Sequence, residues 1–186
     1  MAITPQNQES NAIFKNLMKY KFQNAKSEIE RLEKHYLNSD LKHIYLKHKE
    51  EIYTILNCVE RIEKEKQINS VDLKILKDGL RNSWEEVFCH QAGKYLSQLS
   101  FNYKEAEQVF YNVFDDKDYN VRFRVVTALL NEPPRKIIKE ILSKALHDKS
   151  LTVQQKAEDV ISRLNTEWKY NFLKKLSVEK LRRKHK

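Results

Sequence analysis

The sequence predicts an all-α chain, an α-solenoid of about three stacked helix pairs preceded by a long antiparallel helical hairpin. Three observations carry that expectation. The first is a repeat, visible when Phe88-Cys-His-Gln-Ala92-Gly-Lys-Tyr-Leu96, Val121-Arg-Phe-Arg-Val125-Val-Thr-Ala-Leu129 and Val153-Gln-Gln-Lys-Ala157-Glu-Asp-Val-Ile161 are overlaid at offsets of 33 and then 32 residues. Each segment has an apolar residue, a small or branched apolar residue four later and a large apolar residue four later again. A unit of that length cannot bury its own apolar face and stacks on copies of itself. The second is the scarcity of breakers, 2 Gly and 3 Pro in 186 residues, where a turn-rich sheet protein needs many more. The third is the four-three apolar rhythm of the first third, the spacing of a helical stripe.

Taken in order, Met18, Phe22, Ala25, Ile29, Leu32 and Tyr36 mark a first long amphipathic helix, and Leu41, Tyr45, His48, Ile52, Ile55, Val59 and Ile62 a second. Asn38-Ser39-Asp40 between them is a short polar link with two N-cap candidates, so the two helices fold back on each other. Ser70 caps a helix carrying Val71, Leu73, Leu76 and Leu80, and Ser83 with Glu86 forms a capping box before Val87, Phe88, Ala92, Tyr95 and Leu96. Asn102 with Glu105 is a second box, preceded by Phe101 as a hydrophobic staple, and its helix buries Ala106, Val109, Phe110, Val113 and Phe114. Asp115, Asp116 and Asp118 turn the chain into a helix starting near Tyr119, where acidic groups favour the positive end of the helix dipole. Pro133 and Pro134 end that helix and lead into Ile138, Ile141, Leu142 and Ala145, which repeat Ala106, Val109, Phe110 and Val113 at an offset of 32. The resulting division is 1–68 for the hairpin, 69–166 for the array and 167–186 for a basic terminal helix or tail.

Composition narrows the function classes. With 40% hydrophobic residues the chain can bury a substantial core. No window approaches the 18 consecutive apolar residues of a membrane span, and the first residues lack the basic-then-apolar order of a signal peptide, so a cytoplasmic protein is expected. Cys58 and Cys89 lack zinc-binding spacings and read as reduced, buried and inert. The formal charge of +9 is uneven: +2 over residues 1–66, +1 over 67–164, and +6 over the last 22 residues, which hold 8 Lys/Arg against 2 Asp/Glu. His48 is the one polar residue in its seam; with no His, Cys or carboxylate partner in a matching stripe, and with His43 pointing elsewhere, it reads as structural and not as a metal ligand.

Asp116-Lys-Asp-Tyr-Asn-Val121-Arg122-Phe-Arg-Val125-Val-Thr-Ala-Leu129 resembles the second-helix signature of HEAT repeats, in which an Asp-bearing turn precedes a Val-Arg pair and a run of small apolar residues. Asp148-Lys-Ser-Leu-Thr-Val153-Gln154 keeps the Asp and Val but has Gln in the Arg position, and the unit around Phe88 keeps the apolar pattern alone. The resemblance spans roughly residues 70–165 and implies a right-handed α-solenoid acting as a scaffold, adaptor or binding platform. It also implies that Asp116 and Arg122 tie the turn to the neighbouring repeat, a task for which a planar guanidinium is suited.

The expected function is a non-enzymatic adaptor that binds a macromolecular partner, foremost a protein, through its concave face, with no cofactor and no metal. Lys94, Arg124, Lys156 and Arg163 fall on outward positions of the second helices and form a candidate basic inner strip suited to phosphate or acidic protein surfaces. The alternative is a nucleic-acid-binding module that adds the tail residues Lys174, Lys175, Lys180, Arg182, Arg183 and Lys184. Trp168, Phe172, Leu173, Leu176 and Leu181 fit one face of a terminal capping helix, and its basic amphipathic character also suits an anionic membrane surface. Enzymatic readings are poorly supplied. Gly79 and Gly93 cannot make a phosphate loop, and no Ser-His-Asp, Cys-His or metal-spaced cluster stands out. AlkD-like DNA glycosylases use a HEAT-like solenoid, and Trp84, Trp168, Asp115, Asp116 and Asp118 would be the raw material for that remote third reading.

Overall fold

A computed structural model describes residues 16, 21–82, 86–130 and 135–164, with side chains omitted at 86–88. The described residues contain helices and no strands, an all-α architecture. The helices are α1 (Phe22–Leu37), α2 (Lys42–Glu65), α3 (Ser70–Asn82), α4 (Glu86–Leu99), α5 (Lys104–Val113), α6 (Tyr119–Ala128), α7 (Lys136–Ala145) and α8 (Leu151–Ser162).

Helices α1 and α2 run antiparallel. Their cross-links step oppositely along the two sequences: Lys26 to Glu60 at 2.6 Å, Glu33 to Lys49 at 2.5 Å, and the stacked rings of Tyr36 and Tyr45 at 5.2 Å. Ala25, Ile29, Leu32 and Tyr36 of the first stripe are buried, as are Tyr45, Ile52, Ile55, Val59 and Ile62 of the second. Leu41 is exposed instead, because α2 begins after it and the seam starts at Tyr45. Ser39 organises the link by donating to the Tyr36 carbonyl and accepting from the Leu41 N–H, while Asp40 makes no cap. Met18 lies outside the described residues.

Beyond the hairpin, α3 packs on α4, α5 on α6 and α7 on α8. The first helices α3, α5 and α7 are neighbours in that order, and so are the second helices α4, α6 and α8. Ala92, Val125 and Ala157, the three equivalent small or branched positions, are all fully buried, as are Leu96 and Leu129, with Ile161 nearly so. Ala106, Phe110 and Val113 are buried with Phe114, Val109 is partly buried, and Ile138, Ile141, Leu142 and Ala145 are buried throughout. The two glycines sit where helices approach closely. A Cβ on Gly79 would lie 2.7 Å from Ile55 Cδ1 and 3.2 Å from Ala92 Cβ, and one on Gly93 would lie 2.9 Å from Leu80 Cδ1 and 3.4 Å from Ala128 Cβ. Each therefore lets α2, α3, α4 and α6 meet at a distance a side chain would prevent.

Several predicted caps are corrected. α3 is opened by Asn69, one residue before Ser70. Asn69 Oδ1 accepts from the Asp72 N–H at 3.0 Å, and Asp72 Oδ2 accepts from the Asn69 N–H at 2.7 Å, a reciprocal box that satisfies two donors otherwise orphaned. Val71 in that first turn is 61% exposed rather than in the core. The Asn102–Glu105 box does not form; Tyr103 is the N-cap residue of α5 without a side-chain cap, and its hydroxyl reaches the Lys66 carbonyl at 2.8 Å. Phe101, expected as a staple, is instead a half-exposed platform for the Arg135 guanidinium, 3.3 Å from the ring centroid. Asp118 does cap α6, accepting from the Asn120 N–H at 2.9 Å. The Ser83 cap, Pro133 and Pro134 lie outside the described residues.

Candidate functional site

The second helices α4, α6 and α8 carry the four cations of the predicted inner strip, and each cation is engaged within the chain. Lys94 Nζ donates to the carbonyls of Ala128 and Leu130 at 3.3 and 2.7 Å, at the C-terminal end of α6. Arg124 Nη1 donates to the carbonyls of Leu80 and Arg81 at 3.1 and 2.9 Å, at the C-terminal end of α3. Both place a positive charge where a helix leaves unpaired carbonyls and the negative end of its dipole. Lys156 and Arg163 converge on one carboxylate, Asp159, at 3.0 and 2.8 Å, and hold its pKa below the usual carboxylate range through those hydrogen bonds. The Lys156 ammonium also lies 5.9 Å from the Phe123 ring centroid. The structure thus brings Lys156 and Arg163 together on one carboxylate and assigns Lys94 and Arg124 to the carbonyls of helix ends, so all four donors are engaged within the chain. The tail residues Lys174, Lys175, Lys180, Arg182, Arg183 and Lys184, and both tryptophans, lie outside the described residues.

The turns between paired helices are joined by a ladder. Arg122 Nη1 donates to the Asp116 and Lys117 carbonyls at 2.8 and 3.0 Å, fixing its own turn, while Nε and Nη2 form a fork onto Asp148 at 2.7 and 2.8 Å. Asp148 stands 32 residues after Asp116 at the same place in the next turn. The Arg122 fork, assisted by the Ser150 N–H, holds the Asp148 carboxyl below the usual range. One unit earlier the position of Arg122 is taken by Cys89, and the cation comes from elsewhere: Arg81 Nε meets Asp116 Oδ2 at 2.7 Å. One unit later it is taken by Gln154, whose Nε2 donates to the Asp148 carbonyl at 2.5 Å. Gln154 keeps the bond to its own turn and has no guanidinium to send onward.

The other singled-out groups are structural in their contacts. His48 is part-exposed, 3.4 Å from Glu51 across one helical turn. Cys58 and Cys89 are buried free thiols; burial pushes the Cys58 thiol up to about 12, and the Asp72 carboxylate 3.6 Å away adds to the shift. Asp72 also receives Arg61, which pairs in addition with Glu65. Among the described residues no group of three His, Cys, Asp or Glu side chains is placed to hold a metal ion, and no helix is long and apolar enough to cross a membrane. Sequence spacing did not single out Arg81, although the 32-residue step from Asp116 to Asp148 marks where a ladder cation is required. Comparison with protein-family models, with curated proteins and with solved structures finds no match to this chain.

Proposed function

We propose that this chain is a HEAT-like α-solenoid scaffold or adaptor, without enzymatic activity, that binds a protein partner through a concave face made by α4, α6 and α8. The observation that carries this reading is the combination of side-by-side second helices with the Arg122–Asp148 fork joining successive turns. Such a tie sets a fixed rotation from unit to unit, which is what gives a stacked array a continuous inner surface. A protein is preferred over a polyanion because Lys94, Arg124, Lys156 and Arg163 are committed to carbonyls or to Asp159, leaving a mixed surface with Phe123 and Thr127 partly exposed between them. Phosphate contacts gain free energy by releasing the nucleic acid's counterions, which needs cations free to turn from their present partners toward the phosphates.

A photo-crosslinking residue placed at Thr127 should capture a discrete protein in extracts of the native host, whereas the same residue at Glu105, exposed on first helix α5, should not. Equal capture at both positions would refute the concave-face reading. Duplex DNA supplies the opposing arm, since residues 165–186 hold 8 Lys/Arg against 2 acidic residues. Affinity that falls steeply between about 50 and 200 mM salt, and is lost on deleting residues 174–186, would move the assignment to nucleic-acid binding.

A further inference from the structure

We infer that the cleft between α3 and α5 is a binding site for a phosphate group, held by Lys77, Arg81 and Asn112; the inference is independent of the concave-face reading. The cleft measures about 290 Å³ and is lined by Lys77, Arg81, Val109, Asn112, Val113 and Asp116. It lies just below the roughly 300–1,000 Å³ that holds drug-sized ligands, so it fits a small group rather than a large cofactor.

Three donors line this space with capacity to spare. Lys77 is half-buried and its ammonium has no partner among the described residues. Arg81 is oriented by its Nε on Asp116 at 2.7 Å, and its terminal nitrogens carry four further N–H groups. Asn112 accepts from Gln108 through Oδ1 at 2.8 Å, which fixes its amide and leaves Nδ2 to donate. The one carboxylate present is already occupied on both oxygens, Oδ1 by the Asp118 N–H at 2.9 Å and Oδ2 by Arg81. Two cations against one carboxylate leave the cleft with a net charge of +1 and more N–H groups than that carboxylate can accept. A phosphate monoester presents three strong acceptor oxygens and nearly two negative charges, and it matches that donor set.

The same place one unit further on shows what a closed version looks like. An offset of 34 superposes the buried residues Asp72, Leu76, Gly79 and Leu80 of α3 on Ala106, Phe110 and Val113 of α5 and on Phe114, its C-cap. Lys77 then corresponds to Tyr111 and Arg81 to Asp115, while Asn112 corresponds to Lys144 at the offset of 32. Between α5 and α7 those three close on one another: Lys144 Nζ lies 4.3 Å from the Tyr111 ring centroid and 3.1 Å from Asp115. The first cleft carries the cations on the opposite helix and faces them with a neutral amide. Its internal anion, Asp116, answers Arg81 and leaves Lys77 unanswered, and an external anion completes the set.

Amide and side-chain NMR resonances of the full chain, titrated with inorganic phosphate at constant ionic strength, test this. The Asn112 side-chain amide and the backbone around Lys77 and Arg81 should shift saturably, while resonances around Lys144 stay still. Lys77→Met should weaken binding about tenfold, and Lys77→Glu, which supplies an internal anion beside Arg81, should abolish it; a spectrum otherwise unchanged shows that both variants remain folded. A phosphoserine peptide and its unphosphorylated twin distinguish sources: tighter binding of the phosphopeptide than of inorganic phosphate assigns the site to a phosphorylated side chain, and the reverse to the free ion. Shifts no larger than those given by chloride, or an unchanged dissociation constant in Lys77→Glu, would overturn the proposal.

Discussion

Replacing Arg122 by Gln is the sharpest test of the inter-turn ladder, because Gln154 already shows what glutamine does at that position. The variant should keep a hydrogen bond to the Asp116 carbonyl, as Gln154 does to the Asp148 carbonyl, and lose the fork onto Asp148. Both side chains of the pair are close to fully buried, at 6% and 7% exposed. Removing one partner of a buried pair costs about 3–5 kcal/mol, because the other charge is left desolvated. Asp148 retains the Ser150 N–H at 2.8 Å, which places the expected loss toward the lower end, about 3 kcal/mol. Urea unfolding at neutral pH reads this directly, and a double-mutant cycle with Asp148→Asn separates the pair energy from the rest. The sign with pH is fixed by the depressed carboxyl of Asp148. Its contribution is fully present above the unfolded aspartate value of about 3.9 and is lost as pH falls through the lower folded value. The gap between wild type and Arg122→Gln should therefore narrow below pH 4. A cycle coupling under about 0.5 kcal/mol, the level of a solvated surface pair, would refute the reasoning.

Gly79→Ala and Gly93→Ala should both lower the melting temperature despite the roughly 1 kcal/mol helix-propensity gain of alanine, because the new Cβ meets Ile55 at 2.7 Å and Leu80 at 2.9 Å; a rise in either would mean that these contacts relax freely. Lys66 is the one non-glycine residue with positive φ among those described, at 55° in the C-cap of α2. Lys66→Gly should stabilise by about 0.5–1 kcal/mol in urea unfolding, and a loss would indicate that the lysine side chain contributes more than its backbone costs. Asn69→Ala removes one half of the reciprocal cap of α3 and should cost about 1 kcal/mol by the same measurement; no change would show that Asp72 alone opens the helix. Both thiols should be silent to a disulfide reagent in the folded chain and report two equivalents on unfolding, Cys58 being buried and pushed up to about 12. Rapid labelling of folded protein would contradict that burial.

Apolar periodicity was the legible part of this chain because core burial is set by which face a residue occupies, and spacing encodes the face. Ala92, Val125 and Ala157 are interior for that reason. Polar contacts obey a different rule. Lys94 and Arg124 look like outward cations when counted along their own helices, yet their side chains cross to the carbonyls ending α6 and α3, and no spacing within one helix announces a partner about 35–45 residues away. Caps failed by smaller margins: Asn69 displaced Ser70 because Asp72 lies three residues after Asn69 and can answer it, whereas three residues after Ser70 stands Leu73. The departures from the repeat were the more informative signal. Cys89 and Gln154 replace the ladder arginine on either side of Arg122, and the structure responds on one side by recruiting Arg81 to Asp116. That recruitment places Arg81 in the α3–α5 cleft beside Lys77, so the loss of the arginine at Cys89 is also what brings two cations together there.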